Sequence, residues 1–321
     1  MRVVLPGGSG QVGTILARWY HDRGDEVVVL SRNPQAAEWR TVHWDAYSQG
    51  PWVEELAAAD VVINLAGRSV NCRYTQRNRD VIKDSRVKST RAIGEAIASM
   101  SDPPRVWLQS STATIYAHRY DAPNDEATGV IGGNEPDAPD TWRFSIDVAR
   151  SWEQAVEEFT LPRTRVVRLR SAMTMSPDDG GVFDTLLALV RRGLGGRSGD
   201  GRQYVSWIHD RDFLRAIDWI VEKEHLAGAV NLSSPNPLPN AEFMRALRNA
   251  WGAPVGLPAT KWMLEIGAVF LKTETELILK SRRVVPGTLL QDGFEFEFPM
   301  WADAARDLCD RWRAGSSRHA A

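Results

Sequence analysis

The sequence predicts an α/β fold in which a doubly wound parallel sheet is followed by a smaller, mostly helical C-terminal domain. The first observation is a strand at Arg2–Leu5, followed by a glycine-rich turn, a helix at Thr14–Arg23 and a second strand at Glu26–Leu30. These elements fit within roughly thirty residues, the size of a βαβ unit. The second observation is that later strand-like runs alternate with helical spacing, which is typical of a parallel sheet covered by helices on both faces.

The later elements of the first half follow the same pattern. Strand-like runs lie at Asp60–Leu65, Arg105–Gln109 and Arg165–Arg170. A long helix is predicted between the first two, at about Arg79–Met100. A sheet of this Rossmann type binds its ligand at the carboxyl ends of its strands. We therefore expect the functional residues where strands end.

The second half of the chain is predicted to return to the sheet and then to become helical. Pro177–Gly201 is rich in turn-forming residues. A short apolar segment, Tyr204–Ile208, then leads into a helix predicted at Asp210–Lys223, and a further strand is predicted at Ala229–Leu232. Further helices are predicted at Asn240–Ala250, Thr260–Leu271 and Trp301–Arg313.

These elements divide the chain into two predicted domains. Residues 1–172, with residues 205–233 returning to them, are expected to form the Rossmann domain. Residues 173–204 and 234–321 are expected to form the small domain, with a substrate cleft between the two.

The composition argues against several classes of protein. Among the 321 residues, 39 are basic and 41 acidic, so the net charge of −2 attracts neither nucleic acid nor an anionic membrane. Two cysteines form no disulfide framework, and six histidines show no metal-ligand spacing. The longest apolar stretch, Trp262–Leu279, is interrupted by charges and cannot span a membrane. The N-terminus shows no secretory signal, and two cysteines suit a reducing compartment, so we expect a cytoplasmic protein. The histidine spacing leads us to expect no bound metal.

The turn Gly7-Gly8-Ser9-Gly10-Gln11-Val12-Gly13 predicts a dinucleotide site. Gly7 can make the tight turn, Gly10 lets the backbone approach the pyrophosphate, and Gly13 lets the helix pack closely on the strand. Ser9, Gln11 and Val12 lie between them and share the site. The alternative is a glycine-rich turn without a ligand, but the position between a strand and an amphipathic helix favours the nucleotide.

The end of the second strand predicts which nucleotide binds. Sites that prefer NAD usually carry an acidic residue there for the ribose 2′-hydroxyl. This chain has Ser31 and Arg32 instead, which offer a hydroxyl and a guanidinium to a 2′-phosphate. We therefore expect NADP(H) as the cofactor, the alternative being a solvated charge in a turn.

Several short motifs together make the sequence resemble the extended short-chain dehydrogenases/reductases of the NAD-dependent epimerase/dehydratase superfamily. The resemblance covers nearly the whole chain and is strongest to their atypical branch, the YfcH-like epimerase family, which ends in a domain of unknown function. The motifs are Asn64-Leu65-Ala66-Gly67, Asp84-Ser85-Arg86, Trp152-Glu153, Gly201-Arg202-Gln203, Trp207-Ile208-His209, Ser234-Pro235-Asn236-Pro237, Pro286, Gly293-Phe294-Glu295-Phe296 and Pro299.

The resemblance implies further cofactor contacts. Leu65, Ala66 and Gly67 would line the nucleotide, and Arg86 on the following helix would lie near it. Thr174, in the segment after the strand Arg165–Arg170, would lie near the nicotinamide. For Arg86 a surface ion pair is the alternative. The resemblance also implies a homodimer.

The catalytic pair of ordinary short-chain dehydrogenases is missing. In those enzymes a lysine four residues after a tyrosine lowers the pKa of the tyrosine, which then exchanges a proton with the substrate. The segment before Trp152-Glu153, where the pair should fall, is Phe144–Arg150 and contains neither residue type. The positions four after the six tyrosines hold Gly24, Pro51, Asn78, Tyr120, Asn124 and Ile208.

Two residues remain as catalytic candidates. Thr112 lies at the strand end where the resemblance places the catalytic hydroxyl, and Tyr116 is a nearby acid or base. Their alternative is a strand-end network with a packed ring. His209 invites a catalytic role too, although local bonding to the backbone, with Asp210 or Asp212 capping the next helix, is the simpler interpretation.

Three functions are consistent with these observations. The first is an NADP(H)-dependent oxidoreductase or epimerase that acts on an unidentified small molecule between the domains. The second is a non-catalytic NADP(H)-binding sensor or scaffold, which the missing Tyr/Lys pair favours. The third, a protein adaptor that keeps only the fold, is disfavoured by the intact glycine turn and Arg32.

Overall fold

A seven-stranded parallel sheet lies at the centre of the molecule. The computed structural model of the protein describes residues 1–57, 59–136, 138–259 and 276–319. The strands of this part are β1 (Arg2–Pro6), β2 (Glu26–Ser31), β3 (Arg40–His43), β4 (Val61–Asn64), β5 (Val106–Thr112), β6 (Arg165–Ser171), β7 (Met173–Met175), β8 (Tyr204–Val205), β9 (Trp207–His209), β10 (Gly228–Leu232) and β11 (Leu238–Pro239).

The strand order confirms the doubly wound prediction. The large sheet runs β10-β6-β5-β4-β1-β2-β3, and every neighbouring pair is parallel. The order reverses between β1 and β4, which defines the topological switch point at which such sheets bind ligands. Val61, Val62 and Ile63 of β4 are fully buried because helices cover both faces of the sheet.

The helices form one layer on each face. One core joins apolar residues of β1 and β2 to α1 and α6, and a second joins the opposite face to α2, α3 and α4. The helices of the described chain are α1 (Gln11–Asp22), α2 (Val53–Ala57), α3 (Gln76–Ser99), α4 (Asp140–Glu157), α5 (Val182–Arg191), α6 (Asp210–Glu222), α7 (Asn240–Trp251), α8 (Glu276–Leu279), α9 (Gly287–Gln291) and α10 (Trp301–His319).

A third core lies outside the sheet. It packs α5, α7 and α10 around Phe183, Leu247 and Trp301, whose ring stacks on that of Phe243 with centroids 4.1 Å apart. The helical C-terminal region is thereby confirmed. No helix in the part of the chain that the structure describes is long and apolar enough to cross a membrane.

One element prediction needs correction. Pro177–Gly201 is not only turns, because α5 lies inside it and buries an apolar face that its glycine-rich flanks concealed. The apolar segment Tyr204–Ile208 contributes to two short strands, since β8 pairs with β11 and β9 pairs with β7. The break is at Ser206, whose hydroxyl donates to the carbonyl of Arg282 at 2.6 Å. The elements β3, α2 and α4 had not been predicted, and the predicted helix Thr260–Leu271 lies outside the described residues.

Candidate active site

In the turn after β1, Gly7 and Gly13 are the closely packed members of the glycine triplet Gly7, Gly10 and Gly13. Gly7 has φ +75°, and a Cβ there would lie 2.6 Å from the backbone N of Ala66. A Cβ on Gly13 would lie 2.3 Å from the carbonyl oxygen of Gly8. Both positions therefore require glycine. Beside Gly10 there is open space, with no heavy atom within 4 Å of an added Cβ.

The first turn of α1 presents uncapped backbone N–H groups. Gly10 is the N-cap and supplies no side-chain hydrogen bond. Val12 packs on the core below, while the Gln11 side chain donates to the carbonyl of Asp178 at 3.4 Å. Helix N-termini of this kind bind phosphate groups through their N–H groups and dipole. The geometry fits the pyrophosphate of a dinucleotide.

The end of β2 lies beside this turn. The Ser31 hydroxyl donates to Ser9 Oγ at 3.2 Å and accepts from the backbone N–H of Asn33 at 3.2 Å. Arg32 is exposed, and its guanidinium has no hydrogen-bond partner among the described residues. A hydroxyl and an exposed guanidinium therefore lie together at the end of β2.

The loop after β4 completes the cofactor edge on the other side of the switch point. Asn64 is fully buried, donates to Gln109 Oε1 at 2.8 Å and accepts from the backbone N–H of Ala66 at 3.0 Å. These bonds hold Leu65 and Ala66 against the glycine turn. Gly67, the next residue, faces Arg86, because a Cβ there would lie 3.2 Å from the Arg86 Cζ.

Arg86 of α3 is a partly buried cation held in a defined orientation. Its Nη1 donates to the carbonyls of Arg68 and Ile82, both at 3.0 Å, and its Cζ lies 4.9 Å from the ring centroid of Trp152. No carboxylate of the described residues pairs with it, so the surface ion pair that the sequence left open is not formed there. Burial lowers the pKa of the guanidinium to about 10.

A cavity of about 130 Å³ lies beside Arg86, at the carboxyl edge of the sheet. We call it the α3–α4 cavity, because one face of each helix contributes to it. Members on each helix are three or four residues apart and therefore share a face. The lining residues are Val70, Tyr74, Ile82, Arg86, Thr112, Thr114, Phe144, Ser145, Val148, Trp152, Glu276 and Arg282.

Tyr74 brings a buried phenol to this cavity, which the sequence prediction missed. Its hydroxyl is hydrogen-bonded to Ser145, and the Ser145 hydroxyl donates to Glu276 Oε2 at 2.5 Å. Arg282 lies 3.6 Å from Glu276 Oε1. Burial, followed by the charge of Glu276, raises the pKa of Tyr74 to about 12. The phenol is therefore protonated at neutral pH and is suited to donate a proton.

The α4 positions facing the cavity explain how the site differs from the ordinary one. Ser145 faces the cavity and meets Tyr74. Ala149, four residues later, is fully buried and packs in a cluster with Tyr116. Two α4 positions that are four residues apart thus hold a serine and an alanine.

Thr112 and Tyr116 have different surroundings. Thr112 lines the cavity, and its Oγ1 accepts from the backbone N–H of Thr114 at 3.2 Å. The Tyr116 hydroxyl is buried, donates to Asn231 Oδ1 at 3.0 Å and accepts from Arg170 at 2.9 Å. Tyr116 is not among the cavity-lining residues. This geometry favours the strand-end network for Tyr116 over a catalytic role.

A buried ion pair holds that network. Arg170 donates two hydrogen bonds to Glu153, both at 2.8 Å, and Glu153 also accepts from Ser111 at 2.6 Å. Burial by itself would raise the pKa of Glu153, but the hydrogen bonds and charge of Arg170 outweigh it, so the pKa is lowered. This pair supports β5 and β6 from behind the cavity.

His209 and Thr174 lie away from the cavity lining. His209 is the N-cap of α6, with Nδ1 accepting from the backbone N–H of Arg211 at 3.2 Å and Nε2 lying 3.0 Å from Asp307. The structural interpretation of His209 holds, but the histidine itself is the cap. Asp212 instead accepts from the backbone of residues 297 and 298. Thr174 is buried on β7, opposite Ile208.

Comparison with known families identifies the class. The sequence model of the NAD dependent epimerase/dehydratase family matches residues 3–232, and that of a domain of unknown function, DUF1731, matches residues 259–308. The chain therefore belongs to the NAD dependent epimerase/dehydratase family, as the sequence motifs had indicated. Its Rossmann fold and its C-terminal extension are those of an atypical short-chain dehydrogenase/reductase.

Individual relatives cover nearly the whole chain. The mouse (Mus musculus) epimerase family protein SDR39U1 is 31% identical over 314 residues, 96% of this chain and 99% of the relative. The crystal structure of human SDR39U1 with NADPH has a TM-score of 0.82 and 28% identity, covering 97% and 99% of the two chains. A nucleoside-diphosphate sugar epimerase from Corynebacterium glutamicum has a TM-score of 0.74 and 25% identity, covering 96% of this chain and 58% of that one.

Proposed function

We propose that the chain binds NADP(H) and catalyses hydride transfer between the nicotinamide and a small carbonyl or alcohol in the α3–α4 cavity. The observation that carries this proposal is that Thr112 and Tyr74 line one cavity at the ligand-binding edge of the sheet. The glycine turn and the Leu65–Gly67 loop flank the switch point of the same edge. The reaction type is an oxidoreduction, and the cofactor supplies the hydride when bound.

NADP(H) is preferred over NAD(H) in this proposal. Ser31 offers a hydroxyl and Arg32 a guanidinium with no partner among the described residues, and no acidic residue stands at these two positions to receive a 2′-hydroxyl. The human relative, which is similar over its full length, was crystallised with NADPH. Thr174 stays in the proposal as a neighbour of the nicotinamide, on the resemblance alone.

Tyr74 is the proposed proton donor. When a hydride reaches the carbonyl carbon, the carbonyl oxygen takes a proton, and a phenol whose pKa is raised to about 12 holds that proton at neutral pH. Thr112 is placed to donate a hydrogen bond to the same oxygen. The Ser145 hydroxyl contacts both Tyr74 and Glu276 and holds the phenol in position. Tyr74 and Thr112 thereby replace the usual arrangement in which the tyrosine lies on α4.

A non-catalytic NADP(H)-binding sensor is the second candidate. The specific observation in its favour is that no lysine stands four residues after any of the six tyrosines of the sequence. Without the lysine, the pKa of the acid is not lowered toward neutrality. The two candidates differ in turnover and agree on cofactor binding.

The first test is calorimetric titration of cofactor-stripped protein with NADPH and NADH, alongside Arg32→Ala. We expect tight NADPH binding, weak NADH binding, and a loss of about tenfold to a hundredfold in NADPH affinity in the variant, since hydrogen bonds to charged groups contribute about 1.5–3 kcal/mol. Equal affinity for the two nucleotides in the wild type removes the NADP preference. Absence of binding by either removes the proposal.

Gly10→Ala adds a steric test of the same site. The open space beside Gly10 predicts a normally folded variant, while the added methyl group occupies the approach to the pyrophosphate. NADPH affinity should fall at least tenfold with little change in melting temperature. Gly50→Ala is the matched control, because its Cβ would make only an ordinary contact, 3.5 Å from Trp52. Unchanged NADPH affinity in Gly10→Ala would place the pyrophosphate elsewhere.

A further inference from the structure

We infer that the C-terminal region makes the α3–α4 cavity selective for an uncharged substrate, with Glu276 as the specificity-determining residue. Glu276 offsets the charge of Arg282, so that the cavity accepts a small ketone or aldehyde with an apolar body and excludes carboxylates and nucleotide sugars. This inference deepens the proposed function and rests on it, because it concerns the molecule that meets the nicotinamide. It gives the region that matches DUF1731 a part in substrate selection.

The first argument is that the C-terminal region forms part of the cavity wall. Glu276 and Arg282 both line the cavity, and both side chains are largely buried. The Ser145 hydroxyl of α4 donates to Glu276 Oε2 at 2.5 Å. Arg282 Nε donates to Thr114 Oγ1, in the turn after β5, at 3.0 Å. These bonds fix the two charged groups of the C-terminal region against the Rossmann domain.

The second argument is the charge balance of this wall. Arg282 Nη2 lies 3.6 Å from Glu276 Oε1, so the guanidinium and the carboxylate offset each other's charge. Arg86 faces the Leu65–Gly67 loop, which is the cofactor edge of the cavity, and its charge belongs to the proposed nucleotide site. The wall that the C-terminal region provides for a substrate is therefore close to neutral.

A further cation, Lys280, lies behind this wall. It is fully buried, and its Nζ donates to the Thr114 carbonyl at 2.7 Å, but it is not among the residues that line the cavity. The negative charges of Glu276 and Glu135 act on it. A carboxylate entering the cavity would lose its hydration without meeting an uncompensated cation, which is unfavourable. A neutral carbonyl group avoids this cost.

The third argument concerns size and lining. The remaining wall is apolar and aromatic, formed by Val70, Ile82, Phe144, Val148 and Trp152. The volume enclosed by the described residues is about 130 Å³. An apolar protein cavity of roughly 150 Å³ binds benzene, so this one suits a single ring or a branched chain of similar size. A nucleotide sugar, with its diphosphate and ribose, is too large and too polar for this wall.

The experiment compares acetophenone with phenylglyoxylate, in which a carboxylate replaces the methyl group of the ketone. Each is titrated by calorimetry into the wild-type protein saturated with tetrahydro-NADP, a reduced analogue whose ring is uncharged and transfers no hydride. We expect acetophenone to bind about tenfold more tightly or better, since the carboxylate loses its hydration on entry. Equal or tighter binding of phenylglyoxylate, or binding of neither compound, overturns the inference.

Glu276→Gln and Arg282→Gln assign the preference to the ion pair. The first removes a negative charge from the wall and should shift the ratio of affinities toward phenylglyoxylate by about tenfold, whereas the second should shift it the other way. Lost packing alone would weaken both compounds alike. Asp147→Asn is the control, because it removes an exposed carboxylate from α4 and should keep the wild-type ratio. An unchanged ratio in the glutamine variants, or a shift in the same direction in both, contradicts the inference.

Val148→Phe tests whether the compounds bind in the cavity. Val148 packs with Tyr74 and Ile82, and the larger ring fills the space beside them, so the affinity for acetophenone should fall about tenfold or more. Val81→Phe is the control, because Val81 is exposed on α3 and does not line the cavity. Wild-type affinity in Val148→Phe, or displacement of acetophenone by UDP-glucose in the wild type, would show that the inference is wrong.

Failure of the inference differs from failure of the proposed function. If the wild type binds no NADP(H), the proposed function fails, whatever the ketone does. If NADPH binds but acetophenone is not preferred over phenylglyoxylate, only the substrate class and the role of Glu276 are wrong. The variants are compared where their melting temperature and NADPH affinity match those of the wild type. Where a variant does not fold, the wild-type comparison of the two compounds decides.

Discussion

Two polar clusters lie near the end of β5, and they differ in how their charges are satisfied. In the Tyr116 network, Glu153 and Arg170 pair through two hydrogen bonds, and the tyrosine hydroxyl is held on both sides. In the α3–α4 cavity, Tyr74 lies beside open volume, and Arg86 keeps two nitrogens without a described acceptor. The first cluster is complete without a ligand, whereas the second is not.

This difference teaches how to separate structural from functional polar groups around one strand end. A buried network whose members satisfy one another rigidifies the fold, and its value is measured as stability. A group that stays protonated or charged next to empty volume is poised for a ligand, and its value is measured in binding and turnover. The two tyrosines should therefore respond oppositely to the same Tyr→Phe substitution.

Tyr74→Phe should have the largest effect on activity. If the phenol donates the proton, its removal should lower kcat by about a hundredfold to ten-thousandfold, the usual contribution of a general acid. NADPH oxidation with the carbonyl compound found in a substrate screen measures this effect, and calorimetry should show unchanged NADPH affinity. Turnover equal to that of the wild type would assign the proton to another donor.

Glu153→Ala should have the largest effect on stability. It leaves the Arg170 guanidinium buried without its partner, which costs about 3–5 kcal/mol of unfolding free energy. Urea denaturation measures the loss. Glu157→Ala is the control, because Glu157 pairs with Arg168 at the surface and its loss should cost at most about 1 kcal/mol. Equal losses in the two variants would show that the buried pair is not the stabilising element.

Tyr116→Phe should lower stability and leave turnover intact. The Arg170 and Asn231 groups that contact the hydroxyl lose a buried partner, which costs about 1–3 kcal/mol. The unfolding free energy and kcat of the same preparation test the comparison directly. A large fall in kcat in a variant with native stability would return Tyr116 to the list of catalytic candidates.

The decrease in unfolding free energy at acidic pH should depend on Glu153. Because the folded-state pKa of Glu153 is lowered, its contribution is fully present above the unfolded pKa of about 4.3 and is lost as pH falls through the folded value. The difference in unfolding free energy between wild type and Glu153→Gln should therefore be greatest near neutrality and shrink below about pH 4. Denaturant unfolding over a pH series measures it, and a constant difference contradicts the pairing.

The cofactor edge could be predicted from the sequence because its parts are local. Gly7, Gly10 and Gly13 lie within one turn and the start of α1, and Ser31 and Arg32 end the next strand. Nucleotide binding could therefore be predicted from the spacing of these residues alone. The long apolar runs of β1, β2 and β4 were predictable for the same reason, since strands buried on both faces are apolar throughout. The helix α5 was missed because glycine-rich flanks concealed its short apolar face.

The cavity could not be predicted in the same way. Tyr74 was set aside because no lysine follows it at the fourth position, although its place in the loop after β4 was a signal that could have been used. Glu276 and Arg282 come from the C-terminal region, far from the strand ends in sequence. Their approach depends on packing between distant segments, which no local spacing encodes.

By itself, the sequence determined the parallel sheet, the glycine turn and the family, because these follow from periodicity and contiguous motifs. Only the tertiary structure decided which polar groups meet. It closed Tyr116 into a buried network with Arg170, and it brought Tyr74, Ser145 and Glu276 together beside Arg86. The physical reason is that a hydrogen bond or a charge acts over a few ångströms in space, whatever the separation of its partners along the chain.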